Sequence, residues 1–225
     1  MLVELIRRGL TEAAIPELAP GMQAYMKSAM PYLGVRRPEV RRLVRAVEKA
    51  HPLSSEGALT AAVTELWDRA TYREQQYAAT ELLNTARTRR HPPAGRLVLV
   101  RRLMVEGAWW DHVDELSHRV GELLTEHPDV IRPQLLAWSS GDDPWLRRSS
   151  IICQLGFRDR TDLDLLTRAI GANSAEPGFF LRKAIGWALR EYARTDPDWV
   201  RAFVAAHTLS PLSVREALKH LSSTG

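Results

Sequence analysis

A repeated sequence pattern constrains the fold of this chain more than any other feature. Five segments open with a large apolar residue, continue with mostly polar or basic residues, and end in an apolar stripe at helical spacing. They start at positions 72, 110, 145, 180 and 212, so the steps are 38, 35, 35 and 32 residues. A period near 35 residues with two helices per unit is typical of an α-solenoid. The pattern therefore predicts an all-α fold whose repeats stack and curve around a concave face.

Helix-start signals agree with this prediction. Proline is tolerated in the first turn of a helix, where its missing N–H has no intrahelical partner, and five helices are predicted to start at Pro38, Pro128, Pro144, Pro197 and Pro211. Thr71 and Glu74 have the spacing of a capping box. About a dozen helices of roughly 10–16 residues account for the chain. No segment is long enough for an interdomain linker, so we predict a single domain over residues 1–225.

Composition limits the classes of function. The formal net charge is +4, and only four of the 31 basic residues are lysine. A basic, arginine-rich chain is compatible with a polyanionic partner, although base composition of the genome produces the same bias. Cys153 is the only cysteine, which excludes an intramolecular disulfide and a thiolate zinc cage. The first residues do not form a signal peptide and no apolar stretch approaches the roughly 20 residues of a membrane span, so we expect a cytoplasmic protein.

The positions at which the repeats differ indicate candidate functional residues. The fourth position of three consecutive repeats is basic, at Arg148, Lys183 and Arg215. A ladder of cations along the concave face suits the regular phosphates of a nucleic acid, whereas the alternative is a solvated helix face. The fifth position of the second repeat is Asp114, and Trp110 precedes it by four residues. The two side chains are therefore predicted to share one helix face, and an indole beside a carboxylate on a basic surface is unusual for packing alone.

Other chemistries have weaker support in the sequence. Asp111, Asp114 and His118 share a helix face at spacings of three and four, so they could together bind a metal ion. Acidic residues and histidine in this arrangement more often form a solvated or salt-bridged helix face. There is no His-Glu-x-x-His string, no cysteine pair and no glycine-rich phosphate loop. Cys153 lies in an apolar run that is typical of a core. We therefore expect no metal and no cofactor.

Several strings of the sequence resemble one protein family. They include Gly107-Ala-Trp-Trp-Asp-His-Val-Asp114, Trp145-Leu-Arg-Arg148 and Lys183-Ala-Ile-Gly-Trp187. Together with shorter matches from about Tyr25 to Leu221, they are similar to the AlkD-like alkylpurine DNA glycosylases, which are built from HEAT-like repeats. The resemblance implies a catalytic cleft with one acid, one arginine and two tryptophans. These roles fall on Asp114, Arg148, Trp110 and Trp187.

The resemblance implies that the protein hydrolyses the N-glycosidic bond of cationic alkylated purines, N3-methyladenine and N7-methylguanine, in double-stranded DNA. It also implies a monomer without an obligate protein partner, in the cytoplasm at the nucleoid. Arg36 and Arg37 depart from the family pattern, which is often uncharged before the proline, in a loop that lies near DNA in the family. The predicted DNA-binding residues are Arg36, Arg37, Pro38, Arg147, Arg182, Lys183 and Arg215.

Two non-catalytic functions remain as alternatives. A HEAT-repeat protein of this kind can bind damaged or branched DNA without cleaving it, or can serve as a protein-binding scaffold. A scaffold needs none of the four cleft residues together, and a DNA binder would keep the cations but has no need of Asp114. The presence of the acid therefore favours catalysis.

Overall fold

The architecture is helical throughout the part of the chain that is described. The structure, a computed structural model, describes residues 1–221; over that range it contains 13 α-helices, one short 3₁₀ helix and no strand. The residues form two compact units, Met1–His91 and Pro92–Gly225. Among residues 1–221 no helix is both long enough and apolar enough to cross a membrane. The prediction of an all-α fold of the solenoid type is confirmed.

The first unit contains five helices, one of which contacts three of the others. The helices are α1 (Leu2–Glu12), α2 (Ala19–Met26), α3 (Arg37–Ala50), α4 (Glu56–Asp68) and α5 (Arg73–Leu82). Helix α5 contacts α1, α3 and α4, and α1 packs against α3. Nine of the ten residues of α5 are buried, including two glutamates. Helix α5 is therefore the centre of this unit, although much of its sequence is polar.

The second unit is a succession of helix pairs. The helices are α6 (Arg96–Gly107), α7 (Trp110–Glu126), α8 (Pro128–Ser139), α9 (Pro144–Ile152), α10 (Leu163–Gly171), α11 (Phe179–Tyr192), α12 (Pro197–Ala206) and α13 (Pro211–Ala217), with the 3₁₀ helix at Arg158–Arg160. The second helices of the pairs pack in order, α7 on α9, α9 on α11 and α11 on α13. The repeat starts read from the sequence coincide with the starts of α5, α7, α9, α11 and α13 to within one residue. All five prolines predicted to open a helix lie at its first or second residue.

The predicted capping box at Thr71 and Glu74 is wrong by one residue. Helix α5 begins at Arg73, and Gln75 Oε1 accepts from the backbone N–H of Thr71 at 2.7 Å, the role predicted for Glu74. Glu74 is directed instead to the segment before α3. Its carboxylate accepts the backbone N–H groups of Leu33, Gly34 and Val35 at 2.9, 2.9 and 3.0 Å. A carboxylate satisfies three donors where an amide oxygen cannot, so tertiary contacts override the local pattern.

Gly34 allows the same segment to lie close to the chain after α1. Its φ is +86°, and a Cβ at this position would stand 2.0 Å from the carbonyl oxygen of Ile15. The backbone N–H of Ile15 donates to Leu33 at 3.0 Å. The segment that leads into α3 is therefore held from two sides.

Glu74→Ala is expected to destabilise the protein strongly. The Glu74 side chain is 0% exposed, and its removal leaves three backbone N–H groups without their acceptor, at a cost of about 1–3 kcal/mol for each buried donor. We expect the free energy of unfolding to fall by about 3 kcal/mol or more, measured by urea denaturation. Glu56→Ala in the first turn of α4 is the control, and equal losses in both variants would contradict the role given to Glu74.

Candidate functional site

The centre of the candidate site is an ion pair between α7 and α9. Arg148 Nε donates to Asp114 Oδ1 at 2.7 Å, and Arg148 Nη2 donates to Asp114 Oδ2 at 2.9 Å. The Arg148 side chain is 6% exposed and that of Asp114 is 20% exposed. The cation therefore lies deeper than the acid, and the carboxylate is the part of the pair that solvent reaches.

Arg148 also ties this pair to α11. Its Nη1 donates to the carbonyl oxygen of Phe180 at 2.6 Å. All three nitrogens of the guanidinium thus contact protein acceptors, two on Asp114 and one on Phe180. In the sequence, Arg148 is one of three predicted cations suited to phosphates; in the structure its side chain contacts an acid of α7 and a carbonyl oxygen of α11.

The contact of α7 with α9 continues below the ion pair. Ser117 Oγ donates to Ser149 Oγ at 3.0 Å. One turn further, a Cβ on Gly121 would stand 2.2 Å from the carbonyl oxygen of Cys153. We call this line of contacts, Asp114–Arg148, Ser117–Ser149 and Gly121–Cys153, the α7–α9 seam. The side chains become smaller along the seam, and at Gly121 and Cys153 the two backbones are in contact.

The two predicted tryptophans lie on helices that Asp114 or Arg148 contacts: Trp110 on the helix of the acid, and Trp187 on α11, where Arg148 contacts Phe180. Trp110 is the first residue of α7, one turn before Asp114, and is half-buried. The turn before it passes through Ala108, whose φ is +37°. Trp187 lies on α11, also half-buried, and packs partly against the apolar core of that helix. The structure therefore brings Asp114 and Arg148 into direct contact, with Trp110 on the same helix as Asp114 and Trp187 on α11.

An aromatic cluster next to the ion pair was not predicted from the sequence. Ring centroids lie 6.0 Å apart for Trp109 and Trp145, 5.4 Å for Trp109 and Phe180, and 5.1 Å for Trp145 and Phe180. Phe179 joins it at 5.4 Å from Phe180 and is 54% exposed. Trp145 and Phe180 both hold the first position of their repeats, so the repeat alignment contained a signal for their contact. Trp109 precedes that position, and nothing in the pattern marked it.

The other predicted cations of the second unit differ in their surroundings. Lys183 Nζ lies 3.0 Å from Glu216, the fifth-position acid of the next repeat, and Arg190 binds the same carboxylate. The hydrogen bond from Lys183 lowers the pKa of Glu216 below its usual value, burial opposes the shift, and Arg190 adds to it. Arg215 is exposed. The fourth-position cations thus do not form a uniform ladder. Arg148 pairs with Asp114 of the preceding repeat, and Lys183 pairs with Glu216 of the following repeat.

Arg147 and Arg182 lie in contact with neighbouring loops and helices. Arg147 Nε donates to Asn173 at 2.8 Å, and its Nη2 donates to Glu176 at 2.8 Å, with the side chain 15% exposed. The carbonyl oxygen of Arg182 accepts from Ser213 Oγ at 2.9 Å. Arg147 therefore links α9 to the loop after α10.

In the first unit, the predicted DNA-binding residues surround the start of α3. Arg36 is its exposed N-cap, and Pro38 is exposed in its first turn. The Arg37 guanidinium lies 4.3 Å from the centroid of the Tyr77 ring and 3.9 Å from Glu81. The three residues therefore follow the segment that Glu74 holds.

Two titratable groups near the α7–α9 seam, His118 and Cys153, have shifted pKa values. Burial lowers the pKa of His118, one turn after Asp114, although the carboxylate of Glu115 opposes the shift. Within residues 1–221, no three histidine, cysteine or acidic side chains are grouped so that they could hold a metal ion. Cys153 is 1% exposed, and burial raises the pKa of its thiol to about 12, as expected for a core cysteine.

Comparison with known proteins gives consistent matches. A family model described as DNA alkylation repair enzyme matches residues 6–221. A solved structure described as a predicted DNA alkylation repair enzyme from Enterococcus faecalis is 31% identical, with a TM-score of 0.84 over 93% of this chain and 97% of that one. AlkD2 from Streptococcus mutans is 14% identical, with a TM-score of 0.66 over 100% and 99% of the two chains, which is a likeness of fold alone. No curated protein matches the chain.

Proposed function

The chain belongs to the DNA alkylation repair enzyme family, and from this membership we propose that it is a DNA glycosylase that removes cationic alkylated purines from duplex DNA. The observation that carries the proposal is the Asp114–Arg148 pair, in which a partly exposed carboxylate is fixed through both oxygens by a buried guanidinium. A rigid carboxylate at the surface is the group that this chemistry requires.

The proposed reaction needs a negative charge rather than a general acid. A purine alkylated at N3 or N7 already carries positive charge and leaves as a neutral base, while an oxocarbenium-like cation develops on the deoxyribose. Asp114 stabilises that cation and orients the attacking water. A carboxylate offers about four lone-pair directions, so two hydrogen bonds from Arg148 do not exhaust its capacity. Because the guanidinium fixes the acid before the substrate arrives, little reorganisation is needed in the transition state.

We propose the roles of the other predicted site residues from the family resemblance. Trp110 and Trp187 present aromatic faces that attract the cationic nucleotide. Arg148 positions Asp114 instead of holding a phosphate, since its three nitrogens contact Asp114 and Phe180. The scheme uses only side chains of this protein. It favours charged lesions over neutral ones, because a neutral base would have to leave as an anion.

The ion pair also gives Asp114 a structural use, which a non-catalytic DNA-binding relative would share. The proposal is therefore tested by the chemistry itself. Purified protein is incubated with a duplex that contains one N7-methylguanine, and free base is measured by chromatography; a duplex with one N3-methyladenine is run in parallel. We expect protein-dependent release above the spontaneous rate. If neither base is released while the duplex is bound, the non-catalytic DNA binder replaces the glycosylase.

A further inference from the structure

The second unit contains a cavity that the proposed catalytic site does not use. It has a volume of about 330 Å³ and is partly enclosed by the ends of α9 and α11, by α10 and by the segment around the 3₁₀ helix. Its apolar lining consists of Ile151, Leu155, Leu166 and Ala188. Within residues 1–221, no residue predicted for catalysis or DNA binding lines it. A volume of this size is at the lower end of the range for small-molecule pockets, so the cavity has room for a small ligand.

Hydrogen bonds hold the wall of the cavity that lies between α9 and α10. Gln154 Nε2 donates to the carbonyl oxygen of Asp162 at 3.1 Å, and the backbone N–H of Asp162 donates to Gln154 Oε1 at 2.7 Å. Within the segment that these bonds close, Thr161 Oγ1 donates to the carbonyl oxygen of Arg158 at 2.7 Å. The φ of Arg158 is +57°, in the left-handed region that residues other than glycine rarely adopt. Strained backbone persists where the surrounding contacts determine it, and it is common at ligand sites. The wall is therefore preformed.

The charged side chains that line the cavity sum to one positive charge. They are Arg158, Glu191 and Arg194. Arg194 Nη1 lies 3.1 Å from Glu191, one turn before it on the chain, so these two charges compensate each other. Arg158 is exposed, and among residues 1–221 its side chain has no hydrogen-bond or ion-pair partner. The guanidinium of Arg158 is thus the cation of the cavity that can pair with a ligand.

The other side of the cavity is unfavourable for a second negative charge on a ligand. Tyr192 lines the cavity, and its ring packs edge-on against Trp199 with the centroids 5.3 Å apart. Burial raises the pKa of Tyr192, and the carboxylates of Asp196 and Asp159 add to the shift. Acids close enough to disfavour a tyrosinate also repel an anionic group of a ligand. The cavity therefore offers one site for a negative charge, at Arg158, beside an apolar surface.

We propose that this cavity binds a small organic molecule with one carboxylate and an apolar body, such as an aromatic acid. The Arg158 guanidinium matches a carboxylate through two parallel N–H groups. The apolar body lies against the four apolar lining residues, where its surface is removed from water. A phosphate ester carries about two negative charges at neutral pH, so it fits the charge of the cavity less well. The site is separate from the proposed DNA chemistry, and its test does not depend on methylpurine release.

Three probes with one aromatic ring and different charges test the proposal on the full chain. They are phenylacetate, its neutral analogue phenylacetamide, and phenyl phosphate. Each is titrated into isotope-labelled protein, and the amide shifts of residues around the cavity give Kd. We expect a Kd of about 1 mM for phenylacetate, as its few atoms allow, and about 10-fold weaker binding of phenylacetamide, which lacks the charge. Equal binding of these two, tighter binding of phenyl phosphate, or shifts confined to residues outside the cavity overturns the proposal.

Arg160 provides a matched control for Arg158. It lies two residues further in the same 3₁₀ helix, is exposed, and its guanidinium lies 5.4 Å from the centroid of the Phe157 ring, outside the cavity. Glutamine has the same Cβ as arginine, so Arg158→Gln adds no backbone strain. We expect Arg158→Gln to raise Kd for phenylacetate about 10-fold and to leave phenylacetamide binding unchanged, with Arg160→Gln within about 2-fold of wild type for both. Equal weakening by the two variants would mean that net charge, and no defined site, attracts the acid.

Ala188→Leu tests the apolar side of the same cavity. Ala188 lies on α11 and is buried in the lining, so a larger side chain occupies the space of the ligand body. We expect Kd to rise about 10-fold for phenylacetate and phenylacetamide alike, since both place their ring there. Thermal unfolding shows whether the variant is folded, and if it is not, the comparison of Arg158→Gln with Arg160→Gln decides alone. Wild-type affinity for both ligands in folded Ala188→Leu would place binding elsewhere and overturn the site.

Discussion

Asp114→Asn is expected to reduce release of N7-methylguanine by about 100-fold or more, because it removes the charge that faces the developing cation. Binding of the duplex should be retained, since the substitution removes a negative charge from a surface that approaches phosphates. The measurement is single-turnover release of free base with protein in excess over duplex, so that the rate reports the chemical step.

The ion pair makes a stability control necessary for this variant. Asparagine leaves Arg148 with a neutral partner, and weakening a buried pair from one side destabilises a protein. The unfolding midpoint of Asp114→Asn is therefore measured, and release is assayed well below it. Glu126→Gln, at the exposed end of the same helix, removes the same charge from α7 and should leave release unchanged. Release by folded Asp114→Asn at the wild-type rate would remove the acid from the mechanism.

The second large effect is expected at the contact between Gly121 and Cys153 in the α7–α9 seam. Gly121→Ala places a methyl group 2.2 Å from the carbonyl oxygen of Cys153, so a helix backbone must move. Overpacking against backbone costs about 3 kcal/mol, and we expect a loss of this size in the free energy of unfolding. Because α7 and α9 are displaced, the Asp114–Arg148 geometry should be disturbed as well. Release should therefore fall even at temperatures where the variant remains folded.

Gly171→Ala provides the comparison for that variant. Gly171 is also a glycine at a helix position of the second unit, and a Cβ there meets nothing within 4 Å. Alanine has the higher helix propensity, so this variant should be as stable as wild type or more stable by about 0.5 kcal/mol. Urea denaturation of both variants distinguishes the steric conflict from a general effect of replacing glycine. Wild-type stability of Gly121→Ala would show that the seam is looser than described.

The helices could be predicted because local signals specify them. Prolines and the 35-residue repeat fix where α7, α9, α11 and α13 begin, and these signals need no knowledge of tertiary contacts. The capping box at Thr71 and Glu74 was wrong for the complementary reason. The Glu74 carboxylate accepts hydrogen bonds from three backbone N–H groups some 40 residues away in sequence. Three charge-assisted hydrogen bonds stabilise it more than the single bond of a helix cap would.

The candidate site could also be predicted only in part. The sequence predicts that Trp110 and Asp114 share a helix face, and the repeat alignment places Arg148 in the next repeat. What the alignment did not show is that a fourth-position cation and the fifth-position acid of an adjacent repeat meet, as Asp114 and Arg148 do. That contact depends on the stacking of α7 on α9. In the proposed function, this contact makes Arg148 the residue that orients the acid.

The burial of Cys153 has a practical consequence for experiments on this protein. Its thiol is inaccessible, and no other cysteine is present in the chain. A cysteine introduced at an exposed position, such as that of Arg42 or Arg215, therefore provides a single reactive thiol without any change to the natural core. Crosslinking such a thiol to a duplex with a disulfide tether, one position at a time, would trace the path of the nucleic acid across each unit in solution.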